Sequence, residues 1–295
     1  MRPPVNLIHF PPGQAYGPAM RLTALFSALF VPALLHAQNA GNPLEVRLIS
    51  ATRSISAGKT LNLGLHLRHP AGSHSYWKHP GIVGLPTTVE WELPAGFKAG
   101  EIEWPAPAMV MMACYETQGY EGETLLMIPI TVPEGLTAKS ATLAAKVSWM
   151  CCGKTCMPAM KVPFSITLPV AASAEADPAT QPMFKKFRPL VPVSNPACKT
   201  GVTRSEGNIV LTLKPSPLNP VPKEPGGIRF FTADGQVNSN EKQTTDVLPD
   251  GTIRMRLVLS EHAPKNPATL PGVVVFPAGW QSGGLPMQLE INPAY

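Results

Sequence analysis

Leu61-Asn-Leu-Gly-Leu-His-Leu67 decides the fold class. Its four leucines alternate with Asn62, Gly64 and His66, a period of two. That period sets one face of an extended chain on an apolar core and the other toward water. Outward from it, Leu44, Val46 and Leu48 alternate with Glu45, Arg47 and Ile49. Residues 89–93 give a shorter strand, closed by Pro94-Ala-Gly96. Residues 125–132, 141–149 and 162–168 complete a set separated by Gly, Pro and Asn turns. No convincing amphipathic helix interrupts them. Proline supplies 35 of 295 residues, against a usual share of roughly 5%. Because proline breaks helices and tolerates only strand edges and turns, that share favours short strands joined by shaped loops. Seven or so short antiparallel strands predict an immunoglobulin-like sandwich.

Residues 171–182 begin Ala-Ala-Ser-Ala-Glu-Ala-Asp-Pro and carry no apolar period, so they read as a linker. Beyond it, residues 209–213, 228–232, 253–259, 273–276 and 287–291 are again strand-like, with turns expected at Asp234-Gly235 and Asp250-Gly251. Residues 183–190 can form a short helix that keeps Phe184 and Phe187 near one face. The expected fold is therefore all-β: an immunoglobulin-like sandwich at 38–170, then a second small β domain at 183–295. The second domain offers no chemistry of its own except Cys198, and a lone cysteine is more often a buried small hydrophobe.

Residues 1–37 read as a leader and signal peptide. Met20-Arg21 is a short positive start, residues 22–35 are an apolar run, and Leu35-His36-Ala37 ends in a small residue suited to cleavage. The run is short for a membrane span, although an uncleaved anchor is the competing reading. Residues 1–19 resemble neither signal nor domain. Cleavage removes Arg2 and Arg21 and no acid, lowering the formal charge from +5 to +3. That balance, with no basic patch interleaved with aromatics, excludes nucleic acid as a partner class. Ser-His-Asp, phosphate-loop and HExxH patterns are absent, so hydrolase and nucleotide chemistry have no support.

The chemistry lies in Trp149-Met-Cys-Cys-Gly-Lys-Thr-Cys-Met-Pro158. Three of the five cysteines sit here, at the end of a strand-like run in a chain read as exported. Outside the cytoplasm, Cys152 and Cys156 can form a fixed disulfide that staples a hairpin, or a disulfide that is exchanged with other proteins. Exchange needs a thiolate to attack and a second thiol to resolve the mixed disulfide. Gly153 permits the turn between the strands, and Pro158 is expected to help stop the ladder. Lys154 lies between the cysteines and can favour a thiolate. Cys151 points to the opposite face from Cys152 in an extended strand.

Several stretches together resemble the amino-terminal periplasmic domain of the disulfide reductase DsbD, in its ScsB-like branch. They are His74-Ser-Tyr-Trp-Lys-His-Pro-Gly81, Gly84-Leu-Pro86, Trp91-Glu-Leu-Pro-Ala-Gly-Phe97, Ile102-Glu-Trp-Pro-Ala-Pro107, Gly119-Tyr-Glu-Gly122 and Trp149…Cys152…Cys156-Met-Pro158. They cover about residues 44–170 in the family's order. The resemblance implies an immunoglobulin-like sandwich whose cysteine pair, here Cys152 and Cys156, shuttles electrons without a cofactor. The implied partners are a membrane-embedded thiol reductase and thioredoxin-like or other oxidised periplasmic proteins. It also implies a cap loop over the pair, which by order along the chain falls at 108–118 and includes Met111, Met112, Cys114 and Tyr115. Unlike the full reductase, this chain shows no later membrane spans and no terminal thioredoxin-like domain. Cys151 and Cys114 are thiols beyond the two-cysteine scheme.

Two other classes use the same residues. Met109, Met111, Met112, Cys114, Met150, Cys151, Cys152, Cys156, Met157 and Met160 form two sulfur-rich clusters, and soft sulfur ligands select Cu(I). His66, His69, His74 and His79 add imidazoles, but no spacing demands a metal. A binding module with an inert disulfide is the remaining alternative.

Overall fold

A computed structural model of the protein describes residues 42–214, 227–276 and 288–295. The expected leader and signal peptide, and Met287 at the start of the last expected strand, lie outside the described residues. Among the described residues no helix is long and apolar enough to cross a membrane.

The alternating stretches become the strands of the first sandwich. In chain order these are β1 (Glu45–Ser50), β2 (Thr60–Arg68), β3 (His74–Gly81), β4 (Thr88–Glu92) and β5 (Lys98–Ala99). There follow β6 (Ala108–Met112), β7 (Tyr115–Glu121), β8 (Glu123–Thr131), β9 (Ser140–Cys152) and β10 (Cys156–Pro169). One sheet has the order β1-β2-β8-β5, and the facing sheet β10-β9-β3-β7-β6, with β4 also paired to β9. The leucines of β2 meet Leu143, Ala145, Val147 and Trp149 of β9 in one buried core. All-β immunoglobulin-like architecture is thus observed.

β8 departs from simple alternation, and the reason is a cover on its outer face. Leu126, Ile128 and Ile130 enter the sandwich core, while Leu125 and Met127 pack under Phe184 and Phe187. Those phenylalanines come from helix α1 (Gln181–Phe187), which has a proline in its first turn, where the missing N–H has no partner to lose. A Cβ on Gly64 would lie 2.7 Å from Leu125 Cδ1 and 3.2 Å from Phe184 Cζ, so the glycine makes room for the helix. The stretch read as a linker is strapped to the sandwich: Ala171 N donates to Ile55 O, Arg53 N to Glu175 O and Asp177 N to Ala51 O, at 2.8, 2.8 and 3.0 Å.

The second β domain contains β11 (Lys199–Ser205), β12 (Asn208–Lys214), β13 (Arg229–Thr232) and β14 (Thr244–Val247). It continues with β15 (Ile253–Val258), β16 (Gly272–Val275) and β17 (Gln288–Ile291). They form two sheets, β11-β12-β15-β14 and β13-β16-β17. Strand alternation splits two adjacent phenylalanines between cores. Phe230 packs with Ile209, Leu211 and Met255 in the second domain, whereas Phe231, with Val273, joins the core of the first. Cys198 lies in the second core as a small hydrophobe. Polar contacts reinforce the junction. Arg229 pairs with Glu116 of β7 at 2.6 Å, and Ser239 Oγ donates to Glu116 O at 2.9 Å. The buried Gln118 amide donates to His79 O and to Thr232 O.

Truncation of a buried phenylalanine typically costs about 3–5 kcal/mol. Phe231→Ala is therefore expected to lower the stability of the first sandwich by about that amount in urea titrations followed by tryptophan fluorescence. An unchanged midpoint would show that the two cores are energetically separate.

Candidate functional site

β9 and β10 pair in antiparallel register through Cys152 and Cys156, which face each other directly and are joined by a disulfide, with Cα atoms 4.1 Å apart. The two sulfurs differ in access. Cys152 is fully buried, whereas Cys156 is exposed. Its neighbour Cys151 turns to the opposite face and joins the sandwich core beside Trp149. Burial raises the Cys151 thiol above its ordinary range, with a hydrogen bond from Ser73 opposing.

The turn residues act differently from expectation in two places. Gly153 is not in the left-handed region, so conformational freedom is not what it supplies. A Cβ there would instead lie 3.3 Å from Gly72 O and 3.4 Å from Ser73 Cβ. Pro158 does not stop the ladder, since it pairs with Met150 within β10. β10 is an edge strand, so a residue without an N–H is tolerated. The register breaks further on, between Ala159 and Val162, where Lys161 has φ 50° and its N–H donates to Ser148 Oγ at 2.9 Å. Lys154 is exposed in the turn and makes no ion pair among the described residues. Trp149 is buried under the hairpin. Its Nε1 donates to Asn42 Oδ1 at 3.2 Å, while Asn42 Nδ2 donates to Met157 O at 2.6 Å, so one asparagine ties both strands to the start of the sandwich.

Cys152 is covered by β3. His74 pairs in register with Cys152 on one side and Glu121 on the other. Trp77 enters the sandwich core, while His74 and Tyr76 stand two residues apart on the other face, above Cys152. The Tyr76 hydroxyl donates to Cys152 Sγ at 3.1 Å. His74 Nε2 lies 3.3 Å from the same hydroxyl oxygen, with the two rings edge to face. Gly84, at φ 114°, roofs this pair; a Cβ there would come 2.3 Å from the Tyr76 ring, so only glycine fits. Burial pushes the Tyr76 phenol up to about 12, and the nearby Cys151 adds to the effect. Burial also depresses His74, against the pull of Glu121. The sequence offers His74 only as a possible imidazole ligand and does not single out Tyr76, although their i, i+2 spacing is visible.

The segment expected as a cap loop is a regular hairpin, β6 paired with β7, turning at Ala113 with φ 56°. Cys114, Met111 and Tyr115 are exposed near its tip, and Met112 is half-buried. Glu121, the far end of β7, is the residue level with His74 and Cys152. No hydrogen bond among the described residues links the hairpin tip to the cysteine pair. β7 is instead held at Glu116 and Gln118 by the second domain. The two sulfur clusters lie on β6 and at the β9–β10 end, and β6 and β10 are opposite edges of one sheet. At about 4.8 Å per strand, β6 lies roughly 14 Å from β9 and roughly 19 Å from β10 across it. Among the described residues no group of three His, Cys, Asp or Glu side chains is placed to hold a metal ion. His66 meets Glu123, and His69 meets Gly122 O and Ser75.

Comparison with known proteins agrees with this geometry. The family model "Thiol:disulfide interchange protein DsbD, N-terminal" matches residues 45–168. The crystal structure of the N-terminal periplasmic domain of ScsB from Proteus mirabilis superposes with a TM-score of 0.57 at 14% identity, over 86% of this chain and 95% of that one. The Escherichia coli adhesin FdeC gives a TM-score of 0.21 at 13% identity, over 85% of this chain and 64% of that one. No curated protein matches the sequence. A sandwich of this fold, ending in a paired-cysteine hairpin and matched by that family over nearly all its strands, places residues 45–168 in the family of DsbD amino-terminal thiol:disulfide interchange domains.

Proposed function

We propose that this protein relays electrons outside the cytoplasm, accepting them from a membrane-embedded thiol reductase and passing them to oxidised thioredoxin-like or other extracytoplasmic proteins. The observation that carries this reading is the asymmetry of the disulfide, with Cys156 exposed and Cys152 buried. A fixed staple has no need of an open sulfur, whereas an exchange partner must reach one in line with the S–S bond.

In the accepting direction, a donor thiolate attacks Cys156 Sγ. The donor–Cys156 bond forms, the Cys152–Cys156 bond breaks, and Cys152 leaves with the electron pair. The donor's second thiol then displaces Cys156, so the donor departs as a disulfide and this protein holds two thiols. In the delivering direction, the Cys156 thiolate attacks the client's disulfide. Cys152, held opposite by the ladder, then resolves the mixed disulfide and releases the client reduced. Two electrons and two protons pass in each half-cycle. The expected signal peptide and the persistence of disulfides in oxidising compartments support a periplasmic setting.

Two measurements check this reading. The potential of the pair, from equilibration of the mature protein in glutathione buffers with thiols counted by mass spectrometry, is expected between about −270 and −120 mV. A value below about −300 mV marks a structural bridge and removes the redox function. In a Cys114→Ser background, which removes the other exposed thiol, Cys152→Ser is expected to accumulate mixed disulfides through Cys156 when offered an oxidised thioredoxin-like protein, whereas Cys156→Ser leaves only buried thiols and forms few. Equal trapping by both variants would contradict the assignment of Cys156 as the attacking residue.

A further inference from the structure

Opening the disulfide at Cys156 creates a problem that exposure alone does not solve. The leaving sulfur, Cys152, is fully buried, and a thiolate formed there is a charge out of water. Exchange is faster when the leaving thiol is the better anion, so something must stabilise that charge. The polar groups in this part of the sheet offer few other donors. Cys151 points into the core, Glu121 across β7 is itself acidic, and His69 is engaged by Gly122 O and Ser75 Oγ. Lys154 is out in the turn. The hydrogen bond on Cys152 Sγ comes from the Tyr76 hydroxyl, 3.1 Å away.

We propose that Tyr76 is a catalytic residue that receives the Cys152 thiolate as the disulfide opens, with His74 as the positioning residue that holds its hydroxyl on the sulfur. The inference rests on the exchange reading of the pair. A phenol has one proton to give. When that proton points to Cys152 Sγ, the contact with His74 Nε2 at 3.3 Å is a hydrogen bond only if Nε2 carries the hydrogen. The geometry therefore assigns His74 the Nε2–H tautomer and makes it the donor in a chain His74 → Tyr76 → Cys152. Donation into the phenol oxygen polarises its O–H, strengthening the bond to a developing anion. Burial keeps the histidine neutral and the phenol protonated, so the chain stays in its donating form across the neutral range. No proton is transferred in the step. Gly84 lets the backbone lie against the Tyr76 ring, where a Cβ would displace it.

The test uses the mature full chain. Tyr76→Phe removes the hydroxyl and keeps the ring. Its reduction by dithiothreitol is expected to slow about ten- to hundredfold, the usual worth of a hydrogen bond to a charged group. In a Cys156→Ser background with 13C-labelled cysteine, the Cβ resonance of Cys152 is expected to titrate at higher pH once Tyr76→Phe is added. His74→Leu should move that titration in the same direction. His74→Gln, whose amide can place an N–H near the Nε2 position, should restore it. An unchanged titration in Tyr76→Phe would overturn the proposal. Should Tyr76→Phe not fold, site-specific 3-fluorotyrosine at position 76 gives a more acidic phenol and is expected to shift the Cys152 titration downward; no shift would likewise overturn it. The exchange reading fails on the potential of the pair, whereas this inference fails on the titration of Cys152, so the two failures are separable.

Discussion

The β9–β10 ladder is the constraint on which the site depends. Antiparallel register sets Cys156 directly opposite Cys152, and strand alternation sends Cys151 to the other face. Both assignments follow from backbone pairing, so neither requires a specialised loop. The ladder survives because Asn42 ties Trp149 and Met157 to the beginning of the sandwich. It breaks its register only beyond Pro158, at the edge, where no further strand has to be satisfied. A cysteine pair built into a hairpin in this way has one sulfur near the solvent edge and one against the next strand. The difference in access between the two is a consequence of sheet position.

What lies on that next strand turns a disulfide into a site. β3 buries residues on both faces at this point: Trp77 below in the core, His74 and Tyr76 above Cys152. Two buried polar side chains over a sulfur carry a desolvation cost, which their mutual hydrogen bonding offsets. At its other end β3 meets the second domain, where His79 O accepts from Gln118, whose amide also reaches Thr232 O. The second domain therefore fixes the far ends of β3 and β7, while the ends near Cys152 are fixed by pairing within the sandwich. Phe231 and Val273 make this attachment apolar as well as polar, which favours a rigid junction over a hinge.

The period-two leucines of β2, the run of β9 and the close cysteines were legible in the sequence, because each reports a strand with one face on a core or a residue pair across a turn. β3 and the β6–β7 hairpin were not read as strands. His74 to Trp77 is buried on both faces, so it carries no alternation, and β6–β7 mixes methionines with polar residues at a sheet edge. The helix at α1 was visible from the spacing of Phe184 and Phe187, but not that it would roof β8 of the first sandwich.

By itself, then, the sequence determined that the chain is all-β, where its main strands lie, and which two cysteines share a hairpin. Local periodicity and spacing are properties of the chain, and they report how each segment meets its nearest core. Only the tertiary structure decided that Cys152 is buried while Cys156 is open, that Tyr76 and His74 cover the buried sulfur, and that Phe231 belongs to the first core. Each of these depends on what covers a segment's second face, and that cover is supplied by residues distant in the chain, brought there by packing that no local pattern encodes.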